Sequence, residues 1–116
     1  MTRTSKGWPT GHTLRMPRIG LLSDTHGLLR PEALEFLRGS DAIVHAGDIC
    51  DAAILDALAA LAPLTAVRGN NDHGPWAERL PEVAMLQVVG VRLCVIHDLA
   101  RLALDPVAEG VQVVIS

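Results

Sequence analysis

The chain has 116 residues, 49% of them hydrophobic and 20% charged, which is enough for one folded domain and too apolar for a disordered segment. Ten Lys and Arg against thirteen Asp and Glu give a formal net charge of -3, which argues against the basic stripe of a dedicated nucleic-acid binder. No run is long and apolar enough to span a bilayer, so no membrane partner is expected. Cys50 and Cys94 lack zinc-site spacing and disulfide-scaffold density; they fit a reducing cytosol, and a cytoplasmic location is expected.

Residues 1–17 carry Arg3, Lys6, Arg15 and two prolines around no apolar stretch of signal-peptide length. They read as a disordered extension, with Met16 as an alternative start; the domain itself is expected over 18–116. Ile19, Leu21 and Leu22 then form a short buried strand closed by turn residues. Pro31 and Glu32 suit the first turn of a helix, Leu34 and Leu37 face inward, and Gly39 ends it. Asp41 to His45 is a second strand, and Asp51 caps a helix whose apolar residues Ile54, Leu55, Leu58 and Leu61 have helical spacing. After Pro63, Leu64 to Arg68 is a third strand. Glu82 to Val89 and Val91 to His97 form two strands paired about Gly90. A polar loop follows, then a short helix at Asp105-Pro106, then a last apolar strand from Val111 to Ile115.

Strand, helix, strand, helix, strand implies a parallel sheet, and in such sheets ligands gather beyond the carboxyl ends of the strands. Polar chemistry sits at each of those ends here: Asp24 and His26, then Asp48, then Asn70 to Asp72, then His97. Asp24 and His26 are two apart in a segment read as extended, so their side chains project the same way. Asp, His and Asn without Cys make a mixed oxygen and nitrogen donor set, suited to manganese, iron, nickel or zinc. Two such cations bridged by one carboxylate are the usual clamp for in-line attack at phosphorus, with a metal-bound hydroxide as nucleophile. Asp48, on a tight glycine turn, is the natural bridge.

Asp24-Thr25-His26, Gly47-Asp48, Gly69-Asn70-Asn71-Asp72 and His97 resemble, in order and spacing, the motifs of calcineurin-like metallophosphoesterases, and most of all the small bacterial and archaeal phosphodiesterases. The resemblance covers 18–116. It implies an α/β sandwich of mixed sheets flanked by helices, and a dinuclear centre of two divalent ions, manganese first, with nickel, iron or zinc as alternatives. Asp24 and His26 would bind the first ion, Asp48 would bridge, and Asn70 and His97 would bind the second. The implied reaction is hydrolysis of a small phosphodiester or phosphomonoester.

The sequence departs from the family pattern at three places. Asn71 stands where the family often has a proton-donating histidine, with His73 as a stand-in; both are kept as catalytic candidates. Asp98-Leu99 follow His97 where Gly-His is common. The family's Gly-His-x-His turn, which supplies further ligands, would begin at Ser116, so the chain is expected to be a C-terminally truncated fragment with an exposed apolar edge and weak activity at most. The alternative is a fold that keeps its shape as a scaffold or binding module, as some relatives do, and a homo-oligomer is left open. A nucleotide-binding domain fits poorly, because no glycine-rich phosphate loop follows the first strand.

Several residues also have plainer readings. Asp-x-His after a strand is usually a turn, Asp48 could simply follow Gly47 in a turn, and Asn70 and Asn71 could serve a left-handed turn. Asp51 is read as a cap, Cys50 as a buried apolar filler, and His73 on its own as a surface residue. Asp72 either orients a neighbour or closes its turn. Trp76 either lines the substrate mouth or packs under a loop. His12 and His45 carry no signal.

Overall fold

A computed structural model describes residues 17–116; the expected extension, Pro17 apart, lies outside the described residues. Strands β1 (Ile19–Leu22), β2 (Ala42–His45) and β3 (Leu64–Ala66) form one sheet in the order β1-β2-β3. Both pairings are parallel, with Leu22 opposite His45 and His45 opposite Ala66. All four residues of β2 are buried, as expected of a central parallel strand covered on both faces.

Helices α1 (Pro31–Leu37) and α2 (Ala52–Ala59) connect these strands. Pro31 opens α1 with Glu32 in the first turn, as the sequence implies. Asp51 caps α2, its Oδ1 accepting from the Ala53 amide at 2.9 Å. Leu37, Ile54 and Leu58 meet Ile43 and Ile49 in a first apolar cluster on the helix side of the sheet.

The second sheet has the order β4-β5-β6, built from β4 (Val83–Val88), β5 (Val91–Ile96) and β6 (Val113–Ile115). β4 and β5 are the expected antiparallel hairpin, and β6 lies parallel to β5. Alternate residues Ala84, Leu86, Val95 and Ile115 pack onto Val44, Ala46, Val67 and Ile19 of the first sheet. The two sheets therefore share a dry interior, with helices on the far side of the first: the expected α/β sandwich. Val113 and Val114 on β6 stay exposed, at 42% and 36%.

The structure corrects the local readings in a few places. The helix expected at Asp105-Pro106 is a single turn. Asp105 does cap it, accepting from the Val107 amide at 3.1 Å, but Val107 is 86% exposed, so no apolar face exists to reward further helix. Two short elements were not anticipated: α3 (Pro75–Glu78) and a 3-10 turn at Leu99–Arg101, the latter capped by Asp98. Trp76 lies in α3 and packs half-buried against the first apolar cluster. No helix among the described residues is long and apolar enough to cross a membrane.

Candidate metal centre

The three strands of the first sheet run parallel, so their carboxyl ends lie on one edge. β1 delivers Asp24 and His26 there, β2 delivers Asp48, β3 delivers Asn70, and β5 adds His97 from the second sheet. Asp24, Asp48 and His97 each offer a ligand atom, and these atoms all lie within 4.8 Å of one another. The sequence-predicted ligands thus converge on one spot.

Asp48 is the hub. It is buried, and its Oδ2 lies 3.9 Å from His26 Nε2 and 3.5 Å from His97 Nε2. Asp24 Oδ1 is 3.7 Å from the same His26 nitrogen, and Ser23 Oγ donates to Asp24 Oδ2. On the other side, Asn70 Oδ1 is 3.1 Å from His97 Nε2. His97 Nδ1 lies 2.8 Å from the Ala46 carbonyl oxygen, which can only accept, so Nδ1 carries a hydrogen. Nε2 of the same ring faces the oxygens of Asn70 and Asp48. Acceptors facing one point call for a cation at that point, and the donor set fits a divalent one.

The backbone around this spot is strained. Asp24, His26, Asp48 and Cys50 have φ of 56°, 49°, 60° and 70°, in the left-handed region that non-glycine residues avoid. Such conformations persist at functional sites because the surroundings over-determine them. They also correct the sequence expectation: Asp24 and His26 do not lie in an extended segment. Their loop is instead held by backbone bonds to the loop after β2, from Asp24 N to the Gly47 carbonyl at 2.9 Å, His26 N to Asp48 at 3.0 Å and Gly27 N to Ile49 at 2.8 Å.

Asp72 holds the Asp48 loop from behind. It is buried, and its carboxylate accepts from three amides: Asp48 at 3.0 Å, Cys50 at 2.7 Å and Gly69 at 2.8 Å. Its sequence-level choice is decided: it orients a neighbour and also closes its own turn. Gly69 must be glycine, since a Cβ there would sit 2.2 Å from both Asp48 N and Oδ1. Asn71 donates to Asp48 twice at 2.9 Å, from its backbone amide to Oδ1 and from Nδ2 to Oδ2. Burial alone would raise the Asp48 pKa, but these two bonds, with His97 and His26 nearby, bring it below the usual carboxylate value.

Cys50 is exposed, not the buried filler expected from the sequence. Its amide turns inward to Asp72, which sends the side chain out, with Sγ 3.9 Å from His26 Nδ1. Partial desolvation and the carboxylates of Asp72, Asp48 and Asp24 raise its thiol pKa, which disfavours thiolate. A cleft of about 350 Å³ opens beside His97 and Asn70, with His73, Arg68, Arg101 and Glu82 on its walls. Arg101 Nη2 is 3.4 Å from Glu82 Oε2, and Arg68 Nη1 donates to the Leu80 carbonyl at 3.0 Å.

Sequence reasoning passed over His45, which is fully buried beside the centre. Burial lowers its pKa from 6.5 to about 4, against the opposing pull of the Asp72, Asp24 and Asp48 carboxylates and with help from His97. The available signal was its place: one imidazole at the end of an apolar strand, two residues before Gly47.

A model of the calcineurin-like phosphoesterase superfamily domain matches residues 17–115. A probable metallophosphoesterase of Methanocaldococcus jannaschii is 36% identical over 111 residues, covering 84% of this chain and 56% of that protein. A second, from Methanothermobacter thermautotrophicus, is 37% identical over 84 residues, covering 68% of this chain and 48% of that protein. The chain therefore spans about half the length of the curated relatives it matches. Among solved structures, Vps29 of Entamoeba histolytica, in a single-mutant form, aligns with a TM-score of 0.64 at 20% identity, covering 83% of this chain and 61% of that one. Vps29 of Chaetomium thermophilum aligns at 0.57 and 24% identity, covering 66% of this chain and 43% of that one. These structural likenesses speak for the fold alone. The family match spans nearly the whole described domain, and with it the chain belongs to the calcineurin-like phosphoesterase superfamily.

Proposed function

We propose that the chain carries the metal-holding portion of a phosphoesterase of phosphodiesterase type, working at a dinuclear centre. One observation carries this reading: Asp48 Oδ2 is shared between His26 on one side and His97 on the other. Asp24 and His26 would hold the first cation, Asp48 would be shared between the two, and Asn70 and His97 would hold the second. Manganese is the first choice for this donor set, with nickel, iron or zinc as alternatives. Divalent cations here supply Lewis acidity, neutralising phosphoryl oxygens and making water acidic.

The chain's own residues do the rest. The Asn71 bonds keep the Asp48 carboxylate ionised and aimed. The cleft beside His97 takes the ester, with Arg68 and Arg101 on its walls to meet negative charge. Asn71 has no proton to give at neutral pH, so we assign protonation of a leaving oxygen to His73, which lines the cleft. The free thiols of Cys50 and Cys94 suit the reducing cytosol, where we place the protein.

The test is twofold. Calorimetry with manganese should give two bound ions per chain, and the loaded protein should hydrolyse a bis-aryl phosphate and stop when a chelator is added. No binding of manganese, nickel, iron or zinc would sink the reading. A second reading keeps the metal group without turnover; it is favoured by Asn71 standing where the family often places a histidine. Tight binding with no hydrolysis is its signature.

A further inference from the structure

We propose that His45 is a positioning residue which, together with Thr25, brackets Asp48 and fixes the two ligand loops against each other. This inference rests on the metal-centre reading above. β2 is otherwise apolar, and its last residue is a fully buried imidazole. An apolar side chain would be cheaper to bury there. The imidazole spends its whole hydrogen-bonding capacity on the two loops that carry the ligands.

The bonds have a fixed direction. The Gly47 amide can only donate, and it meets His45 Nδ1 at 3.1 Å. Nδ1 is therefore the bare nitrogen, and the hydrogen of the neutral ring sits on Nε2. Nε2 lies 3.1 Å from Thr25 Oγ1, which accepts it. Thr25 Oγ1 in turn donates to the Ile49 carbonyl at 3.2 Å. The run is continuous: Gly47 N–H to His45, His45 N–H to Thr25, Thr25 O–H to the Ile49 carbonyl.

Its two ends fall on Gly47 and Ile49, the residues on either side of Asp48. Its middle falls on Thr25, the residue between Asp24 and His26. Neither His45 nor Thr25 is among the residues assigned above to a cation, yet between them they bond to Gly47 and Ile49 around Asp48. Gly47 has a second task that makes its position exacting: a Cβ there would lie 2.8 Å from His97 Nδ1. A shift of Gly47 would therefore also be felt at His97. Partners that orient metal ligands at one remove commonly change affinity by about 10–100-fold when removed.

Thr25→Val deletes the hydroxyl and keeps the shape; Thr25→Ser keeps the hydroxyl and deletes the methyl. Manganese binding to the full chain, followed by calorimetry well below each variant's melting temperature, separates the roles. We expect affinity to fall about tenfold or more in Thr25→Val and in His45→Leu, and to stay within about twofold of the starting protein in Thr25→Ser. A 15N spectrum of the metal-free protein should show the Nε2–H tautomer at His45. Wild-type affinity in Thr25→Val, even with a lowered melting temperature, would make the network merely structural and overturn the inference. So would an equal fall in Thr25→Ser, or the Nδ1–H tautomer. If His45→Leu does not fold, the two Thr25 variants still decide the matter. Failure of the unmodified chain to bind any metal is a separate outcome, and it removes the metal-centre reading and this inference together.

Discussion

Among the described residues Asp48 and Asp72 are the two buried acids, and they do opposite work. Asp48 turns its carboxylate toward the histidines, while Asp72 turns its own toward amides of the loop that carries Asp48. In Asp48→Asn one acceptor oxygen becomes a donor, the shared negative charge is lost, and one Asn71 bond goes with it. Calorimetry should then find no manganese binding, while a thermal melt of the metal-free protein should shift by only about 1 kcal/mol, the worth of one hydrogen bond. Asp51→Asn, a residue away from the strained turn, should leave metal binding alone; loss in both variants would bring Asp51 into the chemistry. Asp72→Ala strands three amide donors, each costing about 1–3 kcal/mol when buried without a partner. We expect at least about 3 kcal/mol of lost stability in urea titration, and a cost under about 1 kcal/mol would show that water replaces the carboxylate. The residues that meet at this edge were legible in the sequence because each follows an apolar run. The roles of Asp72 and His45 were not, because the bonds of Asp72 to Asp48 and Cys50 and of His45 to Thr25 span 20 to 24 residues and appear only once the parallel strands are paired.

The elements were mostly legible too, since β2, α1, α2 and the hairpin follow hydrophobic period and capping chemistry. What failed was short and local: the turn at Asp105, α3, and the 3-10 turn after Asp98. Each has fewer residues than a hydrophobic period needs to show itself. The hairpin holds a strain that the sequence does reveal in hindsight. Val88 and Val91 form its closing pair, so Val89 and Gly90 are the whole loop. Both have positive φ, 49° and 81°, the pattern of a type I′ turn. Glycine suits this; a β-branched valine does not, and Val89 is 61% exposed, so it has little packing to lose. Val89→Asn should therefore stabilise the chain by about 0.5–1 kcal/mol, seen as a rise of a few degrees in melting temperature. A lower melting temperature would mean that the Val89 side chain is bound to something the loop geometry does not account for.

At the scale of the whole molecule, the sandwich brings four strand ends to one edge, and that edge gathers acids and imidazoles around a buried, neutral His45. This arrangement sets how the fold responds to acid. The His45 pKa falls from 6.5 to about 4 on folding, with burial as the main cause. A lowered histidine binds its proton in the unfolded chain first. Above pH 6.5 neither state is protonated there and the fold loses nothing. As pH falls from 6.5 toward 4, the unfolded chain takes up a proton that the folded one refuses, at about 1.4 kcal/mol per pH unit, or about 3 kcal/mol in all. The hydrogen bonds agree in direction, since a proton on Nδ1 would point at the Gly47 amide and remove its acceptor. Asp48 extends the trend to lower pH: its folded pKa is lowered from 3.8, so the stability it contributes above that value is lost as pH falls through its folded pKa. Urea midpoints of the metal-free chain should thus be level from pH 8 to 7 and decline steadily between 6.5 and 4. His45→Gln, which cannot titrate, should flatten that decline while leaving the loss below pH 4 in place. An unchanged slope in His45→Gln would assign the acid response to other groups and leave His45 without a part in it.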